Sequence, residues 1–180
     1  MEMCVAGTRI TQEGVDSMET KNQDRISELV EKQKDTYTSM ADEIWGYAEP
    51  RFQEYESSRV QQEYLASRGF SIRADLAGEK TAFIAEWGSG KPVLAFLGEF
   101  DALSSLQQEA DCTERRPIAG KTDGHGCGHH LLGTASVAAV DALKSYMEEK
   151  RPEGNDPLLW LSGGGECGRK GISGPGRIFQ

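Results

Sequence analysis

The sequence predicts an α/β fold in which helices flank a sheet. Helical periodicity comes first, short strand-like runs separated by glycine and proline follow, and an alanine-rich helical stretch comes after them. A change of apolar period from about 3.6 to about 2 residues is the pattern of mixed helix-and-strand domains. With 180 residues, of which 37% are apolar, the chain is long enough for one domain with one modest core.

The composition argues against nucleic acid and membranes as partners. Twenty Lys and Arg stand against 29 Asp and Glu, which gives a net charge of −9. Such a surface repels phosphate backbones and anionic headgroups. No apolar run approaches the roughly 18 residues of a membrane span, and residues 1–14 lack the features of a signal peptide. We therefore expect a soluble, cytoplasmic protein.

Two helices are predicted in the first part of the chain. Residues 1–20 lack periodicity and are predicted to be a disordered leader. From Asn22 to Tyr47, apolar residues recur at helical spacing among charges, and Pro50 ends the segment. A second helix is predicted from Ser57 to Ser67, with Gly69 as its C-terminal stop.

Three short strand-like runs follow the helices, at Phe70–Ala74, Thr81–Trp87 and Val93–Leu97. The third run is apolar throughout, which predicts an interior strand covered on both faces. Because open α/β sheets bind ligands beyond the carboxyl ends of their strands, a site is expected directly after this run. Glu99 and Asp101 stand there, although two such acids alone are more often solvated loop residues or helix caps.

A cluster of histidines gives the strongest functional signal. All three histidines of the chain fall within DGHGCGHH at 123–130, where they are interleaved with glycine and flank Cys127. Imidazole and thiolate are preferred ligands of zinc, and alternate positions on an extended turn can direct Cys127 and His129 at one ion. A helix is predicted from Leu131 to Glu149, and its positive N-terminus would favour the thiolate.

Other interpretations of these residues are less favoured. The histidine run can be a turn with incidental histidines. The four cysteines are widely spaced and form no CxxC pair, which argues against a disulfide framework or a redox site. A phosphate-binding loop in the tail is disfavoured, because Lys170 stands one place late and Gly171 replaces the hydroxyl residue of the motif.

Three segments together resemble a known family. They are IWGYAEPRFQEYESSRVQQEYLASRGF at 44–70, LGEFDAL at 97–103 and DGHGCGHHLLG at 123–133. In this order they look like the N-terminal part of the metal-dependent aminoacylase and carboxypeptidase family of amidohydrolases, in the p-aminobenzoyl-glutamate hydrolase-like branch. The resemblance implies the helix-flanked mixed sheet of a zinc-peptidase-like catalytic domain, truncated in this chain.

The resemblance also implies roles for individual residues. Cys127 and His129 match the metal ligands of the family, and Asp101 matches the acid that orients the metal site. The implied cofactor is one or two divalent ions, Zn or Mn, which activate water for hydrolysis of an amide bond. The implied substrate is a small molecule resembling p-aminobenzoyl-glutamate, an N-acyl amino acid or a dipeptide. His130 stands where relatives often have Asp or Asn and is left unassigned, and His125 fits the motif without being a ligand.

Members of this family continue well beyond the length of this chain. The resemblance therefore implies a general-base glutamate, further metal ligands and an inserted domain through which relatives form homo-oligomers. None of these can be placed in the sequence, so we expect the family activity to be absent from the truncated chain. The alternative is a non-catalytic remnant, or a fragment that binds zinc weakly and loses it below about pH 6.5 as histidine protonates.

The tail, residues 154–180, departs from the partial catalytic domain predicted over residues 21–153. It is glycine-rich and does not predict a strand followed by a helix. When codons 154–165 are read one base later, they permit GTIRYYGCP, one further residue and two glutamates, which continue the family pattern. We predict a frameshift after about Glu153. Sequencing the coding DNA around codons 150–160 checks this, and codons that forbid the shifted sequence would contradict it.

Overall fold

The computed structural model contains both helices and strands, and it describes residues 3–5, 8–10, 12–76, 78–150 and 157–163. In chain order the elements are β1 (Met3–Val5), β2 (Thr8–Ile10), α1 (Gln12–Lys32), α2 (Lys34–Tyr47), α3 (Tyr55–Ser67), β3 (Ser71–Leu76), β4 (Glu79–Trp87), β5 (Gly90–Gly98), α4 (His129–Lys150) and β6 (Pro157–Gly163). Among these residues, no helix has both the length and the apolar character that a membrane crossing needs.

Four strands form a mixed sheet in the order β3-β4-β6-β5. β4 pairs antiparallel with β3 and with β6, whereas β5 pairs parallel with β6. β1 and β2 form a separate two-stranded antiparallel sheet. The helix-flanked mixed sheet that the sequence predicts is therefore confirmed.

The core lies between this sheet and the helices. α4 packs on β5 and β6, α3 packs on β3 and β4, and α2 contacts both α3 and α4. The buried apolar side chains come from all three of these helices, from the sheet and from the loop after β5; they are Met40, Ile44, Leu65, Phe70, Phe83, Ala85, Phe100, Val137, Val140, Leu159 and Leu161.

The first helical segment differs from its prediction at both ends of α1. One helix from Asn22 is predicted, but α1 begins at Gln12 and ends at Lys32, and α2 begins at Lys34. α1 thus begins within the predicted leader, in residues 12–20, where helix-forming residues continue without an apolar period; the disorder of the leader stays a prediction. The break at Gln33, whose N–H donates to the Val30 carbonyl at 3.0 Å, has no Gly or Pro to signal it.

β5 differs from its prediction in position. The apolar run Val93–Leu97 predicts an interior strand, but β5 lies at one edge of the described sheet. Val93 is 47% exposed and Leu97 is 55% exposed. The structure differs from the prediction here because an apolar run shows only which side chains favour burial, and within the described residues no strand lies beyond β5.

β6 is a strand within the tail, for which the composition does not predict a strand followed by a helix. Pro157–Gly163 pairs with both β4 and β5, and Leu159 and Leu161 are fully buried in the core. The apolar residues of this short run are followed by many glycines, so the composition of the tail as a whole did not indicate a strand. The rest of the tail, residues 154–156 and 164–180, lies outside the described residues, as does most of the disfavoured phosphate loop.

A buried carboxylate joins three helices. The two hydroxyls of Tyr37 and Tyr64 each donate to Asp141 Oδ2 at 2.8 Å, and Arg68 Nε donates to Asp141 Oδ1 at 2.7 Å. Burial raises the pKa of Tyr64 to about 12, so its hydroxyl keeps the proton that it donates. Asp141 is almost fully buried, and its ion pair with Arg68 therefore fastens the end of α3 to α4.

We expect Asp141→Asn to lower the free energy of unfolding by about 3 kcal/mol, because the partly buried Arg68 guanidinium loses its counter-charge. Urea unfolding followed by circular dichroism measures this change. Asp24→Asn makes the same chemical change at an exposed position of α1 and should alter stability by less than about 0.5 kcal/mol. Equal losses in the two variants would contradict the role assigned to the buried carboxylate.

Candidate metal site

The end of β5 and the start of α4 meet in direct contact. A Cβ atom on Gly133 would lie 3.0 Å from the Glu99 carbonyl oxygen and 3.1 Å from the Phe100 side chain. A Cβ atom on Gly98 would lie 3.3 Å from the Gly133 Cα atom. Two glycines therefore allow the loop after β5 to touch the first turns of the helix.

The loop after β5 is anchored by backbone hydrogen bonds on two sides. Ala102 N–H donates to the Glu49 carbonyl at 2.7 Å, and Leu103 and Gly124 exchange hydrogen bonds of 2.9 and 3.0 Å. The side chain of Glu49 in turn accepts hydrogen bonds from the N–H groups of Glu56 and Ser57 at the start of α3. The loop that follows the strand is thus held by the α2–α3 connection and by the histidine run.

Glu99, Asp101 and His129 come together at this junction. Each offers one ligand atom, and these atoms lie within 4.8 Å of one another. His129 Nδ1 lies 2.8 Å from Asp101 Oδ1, and His129 Nε2 lies 3.4 Å from Glu99 Oε2. The side chains of Asp101, His129 and Glu99 are 9%, 18% and 39% exposed. The ring therefore has a buried carboxylate behind it and an accessible one in front.

The two carboxylates differ in their relation to the ring. A carboxylate can only accept a hydrogen bond, so in the tautomer with its proton on Nδ1 the His129 ring donates to Asp101 and leaves the Nε2 lone pair on the side of Glu99. A carboxylate that accepts this hydrogen bond and fixes the tautomer is a usual partner of a metal-ligating histidine. Two ligands at roughly 2.1 Å from one tetrahedral ion lie about 3.4 Å apart. The separation of Nε2 and Oε2 therefore fits a shared divalent ion.

Cys127 lies outside this group. It is exposed, and it stands in a turn closed by a 3.0 Å hydrogen bond from Gly128 N–H to the His125 carbonyl. Of the predicted site residues, the structure thus brings Asp101 and His129 together and leaves Cys127 apart. Glu99 completes the group, and its place directly after the apolar strand is the signal that marks it in the sequence.

The other two histidines lie against each other, His125 buried and His130 half-buried. His125 Nε2 lies 3.0 Å from the Ile44 carbonyl, and the rings of His125 and His130 are 4.8 Å apart. Burial, followed by the neighbouring His130, lowers the pKa of His125 to about 4, and burial lowers the pKa of His130 as well. A neutral His125 donates Nε2–H to the carbonyl and so ties the histidine run to α2.

A large cavity beside the histidine run does not contain the ligand cluster. It has a volume of about 740 Å³ and lies between the end of α2, the loop after Leu106 and the histidine run. Trp45, Cys112 and His125 line it, whereas Glu99, Asp101 and His129 do not. The geometry of the ligand atoms, rather than the size of the cavity, identifies the candidate site.

Comparison with known proteins gives two curated relatives; no family model matches the sequence. The chain is 43% identical over 124 residues to a subunit of the p-aminobenzoyl-glutamate hydrolase of Escherichia coli, a match that covers 69% of this chain and 26% of that protein. It is 36% identical over 95 residues to IAA-amino acid hydrolase ILR1-like 6 of Arabidopsis thaliana, covering 52% and 19%. The chain thus spans about a quarter or less of these relatives.

Two solved structures share the fold. An aminohydrolase from methicillin-resistant Staphylococcus aureus superposes with a TM-score of 0.58 at 18% identity, covering 79% of this chain and 34% of that one. A dinuclear metal-binding peptidase of the M20 family from Bacillus subtilis superposes with a TM-score of 0.51 at 22% identity, covering 72% and 35%. The described fold is therefore that of about one third of these two chains.

We expect His125→Gln to reduce the dependence of stability on pH. The folded-state pKa of His125, about 4, lies below its ordinary value of 6.5, so the unfolded chain takes up the proton first. The stability that His125 contributes is full above about pH 6.5 and is lost as the pH falls toward about 4. Between about pH 7.5 and pH 5, urea unfolding should show a loss smaller by about 2 kcal/mol in the variant than in the unaltered chain. An identical loss in both would contradict a neutral buried His125.

Proposed function

Because the chain belongs to the metal-dependent aminoacylase and carboxypeptidase family of amidohydrolases, in its p-aminobenzoyl-glutamate hydrolase-like branch, we propose that it carries the first part of an amide-hydrolysing metal site. The observation that supports this most is the His129 ring between two carboxylates, 2.8 Å from Asp101 and 3.4 Å from Glu99. The proposed substrate is a small amide that resembles p-aminobenzoyl-glutamate, an N-acyl amino acid or a dipeptide, and the proposed setting is the cytoplasm.

His129 and Glu99 would hold the ion, and Asp101 would orient the ring. A bound divalent ion supplies Lewis acidity, which polarises the amide carbonyl and lowers the pKa of a water molecule. Asp101 keeps the proton on His129 Nδ1, and this fixes the direction in which Nε2 binds. Imidazole and carboxylate donors suit both zinc and manganese, and a thiolate from Cys127 on the adjacent turn would favour zinc.

We propose that the 180-residue chain binds this ion without turning over a substrate. Catalytic zinc sites usually have three protein ligands and one open position, and the cluster offers two direct ligands once Asp101 serves as the orienting acid. This fits a chain whose continuation is altered by a frameshift, as the tail suggests. The non-catalytic, weakly metal-binding alternative then describes this polypeptide, and the hydrolase describes its family.

An activity assay separates the two possibilities. We expect no hydrolysis of p-aminobenzoyl-glutamate or of simple dipeptides by the full chain, with zinc or manganese added. Turnover that disappears in His129→Ala, with the fold retained by circular dichroism, would overturn the non-catalytic proposal and show that the chain holds a complete site.

We expect calorimetry with zinc at about pH 7.5 to show one weak site that His129→Ala abolishes. Asp101→Asn should weaken zinc binding by about 10-fold to 100-fold, because the ring loses the acid that orients it. Glu114→Gln, at an exposed loop position, is the control and should bind zinc like the unaltered chain. Tight stoichiometric binding that survives Cys127→Ala and His129→Ala together would place the site on other residues.

Cobalt tests the assignment of Cys127 separately. If the thiolate joins the site, Co²⁺ produces a sulfur-to-metal charge-transfer band in the near ultraviolet that Cys127→Ser removes. A cobalt spectrum without this band, combined with loss of binding in His129→Ala, would leave His129 and Glu99 as ligands and exclude Cys127.

A further inference from the structure

Glu54 is a buried acid that the proposed function does not use. It stands directly before the first residue of α3 and is fully buried. One carboxyl oxygen, Oε2, accepts a hydrogen bond of 2.7 Å from the Thr81 hydroxyl on β4. The other oxygen, Oε1, is buried and receives no hydrogen bond from the described residues. Most buried polar atoms have a partner, because an unpaired one costs free energy, so this oxygen needs an explanation.

The segment that carries Glu54 lies against the loop of Asp101. Pro50 and Ala102 form a parallel bridge, and Ala102 N–H donates to the Glu49 carbonyl at 2.7 Å. Glu54 closes the same short connection between α2 and α3. Asp101, which precedes Ala102, is itself buried. Two buried acids therefore belong to segments that are bonded directly to each other.

The surroundings of Glu54 favour its uncharged form. Burial raises the pKa of Glu54 and the charge of Asp101 raises it further, while the hydrogen bond from Thr81 offsets only part of this rise. Two carboxylates that share a poorly hydrated place do not both ionise readily. The Thr81 hydroxyl is a neutral donor, which compensates a carboxylate less than a cation does. A carboxylic acid therefore suits this position better than a carboxylate.

The two oxygens of Glu54 differ in the way that a carboxylic acid requires. Because Thr81 donates to Oε2, that oxygen is the acceptor, and Oε1 is the oxygen that carries the proton. An oxygen that bears a proton is a donor, which explains why no other donor points at Oε1. The ionised carboxylate of Asp101, whose charge reaches Glu54, is then stabilised by the Oε1–H dipole.

We propose that Glu54 is a positioning residue of the candidate site, an uncharged carboxylic acid whose Oε1–H favours an ionised Asp101. Asp101 Oδ1 lies 2.8 Å from His129 Nδ1, and an ionised carboxylate holds that ring more strongly than a neutral acid does. Glu54 is not among the residues that offer ligand atoms, so it acts through Asp101. The inference rests on the proposed function only for the ion that the ring would bind.

Infrared spectroscopy of the full chain at about pH 7 tests the protonation of Glu54. Exposed carboxyl groups are ionised at this pH, so a buried acid stands out. The unaltered chain should show the carbonyl stretch of a protonated carboxylic acid, and Glu54→Gln should remove it. Absence of the band from the unaltered chain, or its persistence in Glu54→Gln, would overturn the proposal.

Proton NMR of the metal-free chain, with EDTA present, tests the positioning. The His129 Nδ1–H proton, assigned by its loss in His129→Gln, should resonate far downfield because it is bound to a carboxylate. Glu54→Met keeps a similar volume without a donor and should broaden or remove this resonance. Glu54→Gln should retain it, because an amide both accepts from Thr81 and donates. Ser58→Ala is the matched control: it removes a buried hydroxyl that donates to the Thr81 carbonyl at 2.7 Å, and should also retain the resonance.

Calorimetry with zinc is the second measurement. Glu54→Met should weaken zinc binding by about tenfold, whereas Glu54→Gln and Ser58→Ala should bind zinc like the unaltered chain. If the unaltered chain binds no zinc, the proposed function fails, and the infrared band and the proton resonance still decide the role of Glu54.

The pattern across the variants decides between positioning and general destabilisation. Loss of the downfield resonance in Glu54→Gln, its loss in Ser58→Ala, its retention in Glu54→Met, or its absence from the unaltered chain would each overturn the proposal. Circular dichroism checks that every variant folds. Should Glu54→Met not fold, Thr81→Val takes its place, because it removes the donor that fixes Glu54 and should likewise broaden the resonance.

Discussion

The close approach of the first turns of α4 to the end of β5 is the constraint on which the candidate site depends. Gly98 and Gly133 leave no room for a side chain between the two elements, since a Cβ atom on either would come within 3.3 Å of a backbone atom. This contact brings a histidine at the start of a helix next to two acids in a strand-end loop. The site is thus created by packing, and its ligands come from positions 28 to 30 residues apart in the chain.

Burial divides three neighbouring histidines of one short run into different chemical roles. His125 is buried and His130 is half-buried, and burial lowers the pKa of both. His129 instead lies between two carboxylates, one of them open to solvent. The surroundings of each imidazole therefore determine its role. The ring of His125 is hydrogen-bonded to the backbone of α2, whereas the ring of His129 is placed where it could bind an ion.

Local chemistry in the sequence predicted more of this protein than its long-range arrangement did. The histidine run and the switch from helices to strands were sufficient to predict an α/β fold and a metal site on Cys127 and His129, with Asp101 beside it. The structure brings Asp101 and His129 together and adds Glu99 to them. The exposure of β5 and the insertion of β6 between β4 and β5 depend on which strands become neighbours. The apolar periodicity of each strand does not show which strands pair with each other. Cys127 is exposed and lies apart from His129, although the two residues are spaced so that they could share an ion. Their relative position depends on the conformation of the turn, which the spacing in the sequence does not determine.

Glu49 connects the site loop to the start of α3 through two different parts of one residue. Its carbonyl accepts the hydrogen bond from Ala102, and its carboxylate accepts those from the first turn of the helix. Fraying of that turn would therefore release the strand-end loop with it, because both depend on the same short connection. In amide hydrogen exchange, Ala102 and Ser57 would then open together as one cooperative unit, although 45 residues separate them in the chain.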